Sequence, residues 1–544
     1  MAATLGGFMA SRFLADLISR RNLLKSSGVL ALGGAIPIKG AAALAVASSP
    51  DMHALQTGPT IYESIGVRPI INCRGTFTII SGSQTLHEVK KAMEEASRHY
   101  VQMDELMEGV SKRLAEITHA EWGVVTAGCA AAITNATAAC IAGSDPEKMQ
   151  RLPNLTGLKN EVIMPKTSRN VYDHATRMLG VTVVEVNSPE ELEAAFNART
   201  AMILIHSSPA SEKGPVNIDT VCRVAKSHGV PVFVDAAAET PTFPNHHLAR
   251  GATMVAYSGG KCMRGPQAAG ILLGQKDLVQ AAWLNSAPHH AFGRSLKVGK
   301  EEIMGMLAAV EMWAKRDHDA EWKVWESWLS YISDRVKKVP GVTTEVLQPE
   351  DLSNHAPRLR INWDGAALNI TGTEVVSTLM EGTPRITVAG GRGTRPDVMA
   401  SSVTIMPYMM MPEDYKIAAD ALYRALSNPP KFSNPVVPAG DPQNVGGVWQ
   451  VEIDYVRGSA QHRFFLEQAG EALHGVHEGE TVRGDLQGKV QANQVKLSGR
   501  HPIQGTVLEY TFTGQVDGDV MHGTASLGEY GPAEWSAKRH SYTA

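Results

Sequence analysis

No two of the five cysteines in this chain of 544 residues stand in a C-x-x-C pair; they are Cys73, Cys129, Cys140, Cys222 and Cys262. That spacing excludes a zinc ribbon or a dithiol redox couple, and the wide gaps suit isolated buried thiols. There is no run of Lys and Arg, and the net charge of −4 gives no footprint for nucleic acid. No apolar stretch reaches the ~20 residues of a membrane span. No region has the composition of a disordered tail either. What remains, 43% hydrophobic and 19% charged residues, is the balance of a soluble globular protein. The length calls for two or three domains.

The first residues read as an address. "SRRNLLK" (19–25) is a basic segment, "SSGVLALGGAIPI" a short apolar one and "AAALAVASS" a row of small residues suited to a signal peptidase. The pair Arg20-Arg21 resembles a twin-arginine export signal, with cleavage expected after Ala47. Residues 1–47 are therefore expected to be a leader, and the protein to be periplasmic or otherwise exported.

From residue 60 to 298 helical and strand-like blocks alternate. "WGVVTAG", "EVIMP", "VTVVEV", "AMILIHSS", "VPVFVDAAA", "MVAYSGG" and "GILLG" read as buried strands, most of them apolar throughout. Such strands with helical crossovers predict an α/β domain with a mainly parallel sheet. Residues 299–428 open on one long helical stretch (299–339) and continue as a smaller α+β domain. The proline-rich 429–443 reads as a linker. Residues 444–544 change to short alternating runs, predicting about eight strands in an antiparallel barrel or sandwich. There "VDGDV" (516–520) predicts a type I′ hairpin at Asp-Gly. With no catalytic grouping, this region is expected to be an accessory module.

The chemistry gathers around "AYSGGKCMRGPQAAG" (256–270), where Lys261 stands among glycines. A Walker A loop is excluded, since Val255 replaces its first glycine and Cys262 its Ser or Thr. A covalent imine is the other use of a lysine here. With pyridoxal 5′-phosphate (PLP), the protein must also supply an acid for the pyridine nitrogen and donors for the phosphate. Asp235 ends the strand "VPVFVD", where a buried carboxylate needs a cationic partner. Ala127, Gly128 and Cys129 lie between a strand and a helix, where free N–H groups bind anions, and Ser258 adds a hydroxyl. The glycines beside Lys261 are expected to let the cofactor lie close to the backbone.

With these stretches, "INCRGTFTIISGSQ", "VTAGCAAAITNATAACIAG", "SRNVYDHATRMLG", "VDAAAETP", "YSGGKCMRGPQAAGILLG" and "GRSLKVGKEEIMGMLAAVE", the chain resembles the selenocysteine synthase-like branch of fold-type I PLP enzymes over residues 60–425. The resemblance implies that Lys261 holds PLP covalently, that Asp235 meets the pyridine nitrogen, and that Ala127, Gly128, Cys129 and Ser258 form the phosphate cup. It makes Arg74, Arg169, Tyr172, His174 and Arg385 candidates for substrate binding. Ser168 stands where the family is expected to carry a histidine. Because this fold builds sites at dimer interfaces, a homodimer or higher homo-oligomer follows, with Arg264 and Gln267 able to face a neighbouring subunit.

The implied reaction is α-proton abstraction from a small amino acid or amino sugar, with Lys261 as base, followed by β-elimination. Alternatives are a selenium-transferase-like β-replacement or transamination. An acidic, exported chain does not suit the tRNA that selenium transfer requires. From another class, the chain could be a non-catalytic exported binding protein that keeps the fold.

Overall fold

The computed structural model describes residues 55–540 except Asp397, and the leader expected at 1–47 lies outside the described residues. The chain divides into two units at Arg68/Pro69. The described part of the first is short and exposed, with one 3-10 turn at Glu63–Ile65.

The second unit opens with strand β1 (Ile70–Cys73) and continues with β2 (Trp122–Thr126), β3 (Glu161–Pro165), β4 (Thr182–Val186), β5 (Thr200–His206), β6 (Val232–Asp235), β7 (Met254–Ser258) and β8 (Gly270–Gly274). Seven of these form one sheet in the order β2-β8-β7-β6-β5-β3-β4. All pairs are parallel except those made by β8, which runs against β2 and β7. Every residue of β2, β3, β6 and β8 is buried, as expected of strands covered on both faces. Helix Gly128–Ala142 is made almost wholly of small residues and is buried nearly throughout, so it packs close behind the sheet. Its threonines place their hydroxyls on carbonyls, Thr134 on Ala175 and Thr137 on Ile133. Burying them therefore strands no polar group.

The second layer is a five-stranded sheet, β1-β11-β12-β10-β9, in which β9 is Thr343–Leu347, β10 Arg358–Asp364, β11 Arg385–Thr394 and β12 Val398–Ile405. β1 precedes the large sheet in sequence but pairs in parallel with β11, so the large-domain boundary expected at 60 is displaced past this strand. The expected long helix of 299–339 is two helices, Lys300–Lys315 and His318–Val336. Asp317 starts the second by accepting from the Ala320 N–H, an N-cap that the helical pattern concealed. The first helix contributes Ile303, Met306 and Trp313 to the large core. Leu329, Ile332 and Val336 of the second enter the small one.

Residues 429–446 carry no helix or strand. Then β13 (Gly447–Asp454), β14 (Ser459–Ala469), β15 (Ala472–Glu478), β16 (Arg483–Gln491), β17 (Gln494–Ile503), β18 (Thr506–Asp517), β19 (Val520–Ser526) and β20 (Pro532–Arg539) close into a barrel of sequential antiparallel neighbours. Burial alternates along the strands, and Trp449, Phe464, Phe512 and Trp535 fill the inside. Asp517 pairs with Val520, so the hairpin turns on Gly518-Asp519, not on Asp517-Gly518. Only Gly518 is left-handed (φ 60°), which is the type II′ pattern in place of the expected I′. The β17–β18 hairpin meets the large domain. There Gln504 accepts from Arg169 Nη2 at 3.1 Å. A Cβ on the neighbouring Gly505 would overlap the Asn170 carbonyl and an Asp173 oxygen.

Candidate active site

In a parallel sheet, ligands bind beyond the carboxyl ends of the strands. Here β5, β6 and β7 end in His206, Asp235 and Ser258 on adjacent strands. His206 and Asp235 face each other in register.

Asp235 is buried, and all its partners are donors. Cys129 Sγ donates to Oδ1 at 3.2 Å, the Ala237 N–H to Oδ1 at 3.1 Å, and His206 Nδ1 lies 3.4 Å from Oδ2. Burial pushes the carboxyl up, but His206, Cys129 and the Ala237 amide together hold it below its usual range. Burial lowers His206, and its bond to Asp235 more than offsets that, so the imidazole is raised. The result is a buried ionised carboxylate whose surroundings favour a cation against it.

The helix Gly128–Ala142 starts at Ala127 without any side-chain cap, so its first N–H groups have no partner from the side chain that precedes them. Gly128 is left-handed (φ 77°), and the position of a Cβ there is open space. Gly270 closes the other side: a Cβ on it would lie 2.9 Å from the Cys129 nitrogen. Ser258 pairs with Gly270, so Ser258, Gly128 and Cys129 come together at one end of the sheet. Cys129 thus has two roles, its backbone at the helix start and its thiol on Asp235. Burial and the Asp235 charge raise that thiol far above its usual range.

Lys261 follows β7 and is half-buried, and its amine has no hydrogen bond or ion pair among the described residues. Its charge is felt by Cys129 and His206, which sets it beside the Asp235 cluster. The glycines around it serve their own chain, which corrects the expectation that they make room for the cofactor. A Cβ on Gly259 would lie 2.5 Å from Met306 Sδ, and one on Gly260 2.6 Å from Gln267 Cα. They let the lysine turn fold flat on helix Lys300–Lys315 and on the Pro266–Ala269 turn.

The segment after β1 covers this turn. Ser83 N–H donates to Gly260 O at 3.1 Å, and Leu86 N–H to Arg264 O at 3.1 Å. Arg74 lies on that segment, half-buried over the Phe77 ring at 4.6 Å. Arg264 is turned into its own chain, with Nε on Gln84 O, whereas Gln267 is exposed. The other candidates are not gathered here. Arg169 is occupied by Asp173, Glu185 and Gln504. Tyr172 and His174 are exposed. Arg385 begins β11, at the end of the strand away from Cys73, and donates to Met380 O at 3.0 Å.

Three side chains carried no sequence signal. Tyr408 Oη meets Thr76 Oγ1 at 2.9 Å and donates to Asn354 Oδ1 at 3.0 Å. Burial pushes its phenol up to about 12, although Thr76 and the Arg358 charge pull the other way. Arg358 Nε is buried without a partner. Asn354 N–H donates to Ala238 O at 2.9 Å, tying this small-domain corner to the segment after Asp235. His206 was legible in principle, since it ends an apolar strand as Asp235 does.

A family model described as Cys/Met metabolism PLP-dependent enzyme matches residues 66–297. The chain is 30% identical over 334 residues to D-glucosaminate-6-phosphate ammonia lyase of Salmonella typhimurium (strain 14028s / SGSC 2262), a match covering 60% of this chain and 88% of that enzyme. It belongs to this PLP-dependent family. The PLP enzyme is also 30% identical over 337 residues to 5'-C-glycyluridine monooxygenase-decarboxylase of Streptomyces sp, across 60% of this chain and 83% of that one. The solved structure of D-glucosaminate-6-phosphate ammonia-lyase superposes with a TM-score of 0.59 at 27% identity, over 67% of this chain and 98% of that one. About a third of the PLP enzyme therefore lies outside that likeness.

The residues present fit PLP. The uncapped helix start beside Ser258 suits a phosphate, the ionised Asp235 suits a protonated pyridine nitrogen, and the unpartnered Lys261 amine suits the aldehyde carbon.

Proposed function

We propose that this PLP-dependent enzyme is an ammonia-lyase-like eliminase acting on a small amino acid or amino sugar. When bound, PLP draws electrons from the carbon that carries the substrate's amino group and so acidifies its α-proton. Lys261 would hold the cofactor, and its freed amine is the base placed to take that proton. Asp235 would keep the pyridine nitrogen protonated, itself held ionised by His206 and Cys129. Gly128, Cys129 and Ser258 would bind the phosphate. Arg358, half-buried with a buried, unpaired Nε beside Tyr408, is the cation suited to a substrate carboxylate. Its place favours it over Arg385. The name of the Salmonella relative supports a substrate with an amino group next to a carboxylate and a hydroxyl on the following carbon; loss of that hydroxyl is the elimination.

The observation that carries this reading is a partnerless lysine amine beside a buried carboxylate whose every hydrogen bond comes from a donor. The test is spectroscopic, then chemical. The purified protein should absorb in the near-violet, lose that band on borohydride reduction, and lack it as Lys261→Ala. A colourless wild-type protein that takes up no added PLP overturns the reading. Incubated with amino acids and amino sugars, it should release ammonia and a 2-keto acid together. Conversion of an added keto acid to an amino acid would instead make it an aminotransferase.

We propose further that the protein is exported by the twin-arginine route and works as a homo-oligomer. Arg20-Arg21→Lys-Lys should hold it in the cytoplasm on fractionation, and light scattering should give at least twice the chain mass. No helix among the described residues is long and apolar enough to cross a membrane.

A further inference from the structure

Behind the Asp235 pocket, two helical turns meet. One, Pro209–Lys213, follows β5 and carries Glu212; the other, His246–Ala249, carries His246 and His247 at its start. One ligand atom from each of Glu212, His246 and His247 lies within 4.8 Å of the other two. A metal ion needs its donors converged, deprotonated and held.

The first and the last of these conditions can be read here. His247 is fully buried, and its Nε2–H donates to Glu239 Oε2 at 2.6 Å. That bond fixes the proton on Nε2 and leaves Nδ1 as the only nitrogen His247 has to offer. Nδ1 is buried and has no partner. A carboxylate that orients a histidine through its far nitrogen is the outer shell found around metal-bound imidazoles. Ser207 donates to Glu239 in turn, which fixes the carboxylate.

His246 is half-buried, and its ring lies against that of His247 with centroids 3.8 Å apart. Arg250 donates from Nη1 to both Glu212 oxygens at 2.9 Å. It also reaches Asp219 through Nε at 2.7 Å and Nη2 at 3.0 Å. Two carboxylates, Glu212 and Asp219, therefore face one guanidinium, leaving excess negative charge beside the two imidazoles. A carboxylate has lone pairs for an arginine and an ion at once.

We infer that Glu212, His246 and His247 form a binding site for a first-row divalent cation, zinc above all, with Glu239 as its orienting carboxylate. Two imidazoles and a carboxylate are the donor set of zinc and its borderline neighbours; calcium and magnesium take oxygen. The ion would clamp the segment after β5 to the segment after β6, which carry His206 and Asp235 at their roots. This inference does not rest on the cofactor reading.

The test uses the untagged full chain, stripped with a chelator, dialysed and titrated with zinc chloride alone. Wild type should retain one zinc per chain after desalting, and its thermal midpoint should rise with zinc. Glu212→Gln and His246→Gln, both at half-exposed positions, should each weaken binding by at least tenfold. Without zinc, both should melt close to the stripped wild type. Glu239→Gln should weaken binding about 10–100-fold without removing a ligand. Cobalt in place of zinc should give visible d–d bands without an intense sulfur-to-metal band. No retained zinc in wild type, unchanged binding in both ligand variants, a thiolate–cobalt band, or loss of zinc only on His477→Phe in the barrel would each overturn the assignment.

Discussion

Beneath the cofactor pocket, Asp235 and Glu239 each hold a histidine, His206 and His247, within hydrogen-bonding distance. Inside the barrel, His462, His477 and His501 are more deeply buried than His206 and, among the described residues, bond only to one another, at 2.7 and 2.9 Å. The row ends on His501 Nδ1, which is buried without a partner. Both clusters put imidazoles into apolar surroundings, yet the first compensates charge and the second excludes it. Burial and the neighbouring histidine charges push His477 down to about 3, and burial also lowers His462 and His501. His206, against Asp235, moves the other way. What each of these histidines does is set by what faces it: Asp235 favours the charged form of His206, and the neighbouring imidazoles disfavour it in His477.

The contrast breaks hardest at Lys261 and Asp235. Lys261→Ala should lower turnover by about 10³-fold or more, the scale of losing a positioned base, and abolish the near-violet band. Asp235→Ala leaves His206 beside no carboxylate. Breaking a buried pair from one side costs about 3–5 kcal/mol, and a drop of that size in denaturant unfolding, with PLP retention also lost, is expected. Asp235→Asn should keep the fold better than Ala, while still losing the cofactor's pyridine partner. If Asp235→Ala unfolds no more easily than wild type, the buried carboxylate is not the charged hub described.

The opposite pH responses sharpen the comparison. In the barrel, the unfolded histidines titrate at about 6.5 and the folded ones lower. The unfolded chain therefore binds more protons as pH falls below 6.5, and the barrel loses stability from there down towards pH 3, by up to about 1.4 kcal/mol per pH unit from His477 alone. His477→Phe should flatten that acid limb in a thermal melt followed by tryptophan fluorescence. His206 is raised, so its contribution is complete below about 6.5 and disappears as pH rises through its folded value. His206→Gln should flatten the alkaline limb and leave the acid one. A single limb, or two that respond to the same substitution, would undo the contrast.

How much of this could be read before the fold was seen depends on how local each signal is. Lys261, Asp235, Gly128 and Ser258 sit at strand ends within motifs, and the backbone that places them is specified by adjacent residues. The barrel was legible for the same reason, since alternation and turn glycines are local. Arg358 and Tyr408 were not, because their neighbours come from the packing of one domain on another. Tyr408 meets Thr76 across 332 positions of chain. β1 fell inside the expected large domain because four residues, Ile70–Cys73, carry no mark of the edge they pair with, and the edge at β11 is fixed only by the fold. Arg169 was a candidate because its segment resembles one of the family's; its partners are not apparent from sequence, and one of them, Gln504, belongs to another domain.

The smallest effect expected is at that domain contact. Gly505 lies where the β17–β18 hairpin touches Asn170 and Asp173, and the atoms a Cβ would strike there are a backbone carbonyl and a carboxylate already holding Arg169 and Arg177. Neither can swing aside without giving up a bond, so Gly505→Ala should force the hairpin off its seat at a cost of about 1–3 kcal/mol, the range of overpacking. The barrel closes on itself through β13 and β20 and keeps its own core, so it should stay folded. The expected calorimetric result is one broadened or split transition where wild type shows closer coupling, with the PLP band unchanged. Gln504→Ala, which removes one hydrogen bond to Arg169 without a clash, should do the same by about 1 kcal/mol or less. Should Gly505→Ala instead discharge the cofactor, the barrel is part of the pocket's support and the two histidine clusters are not independent.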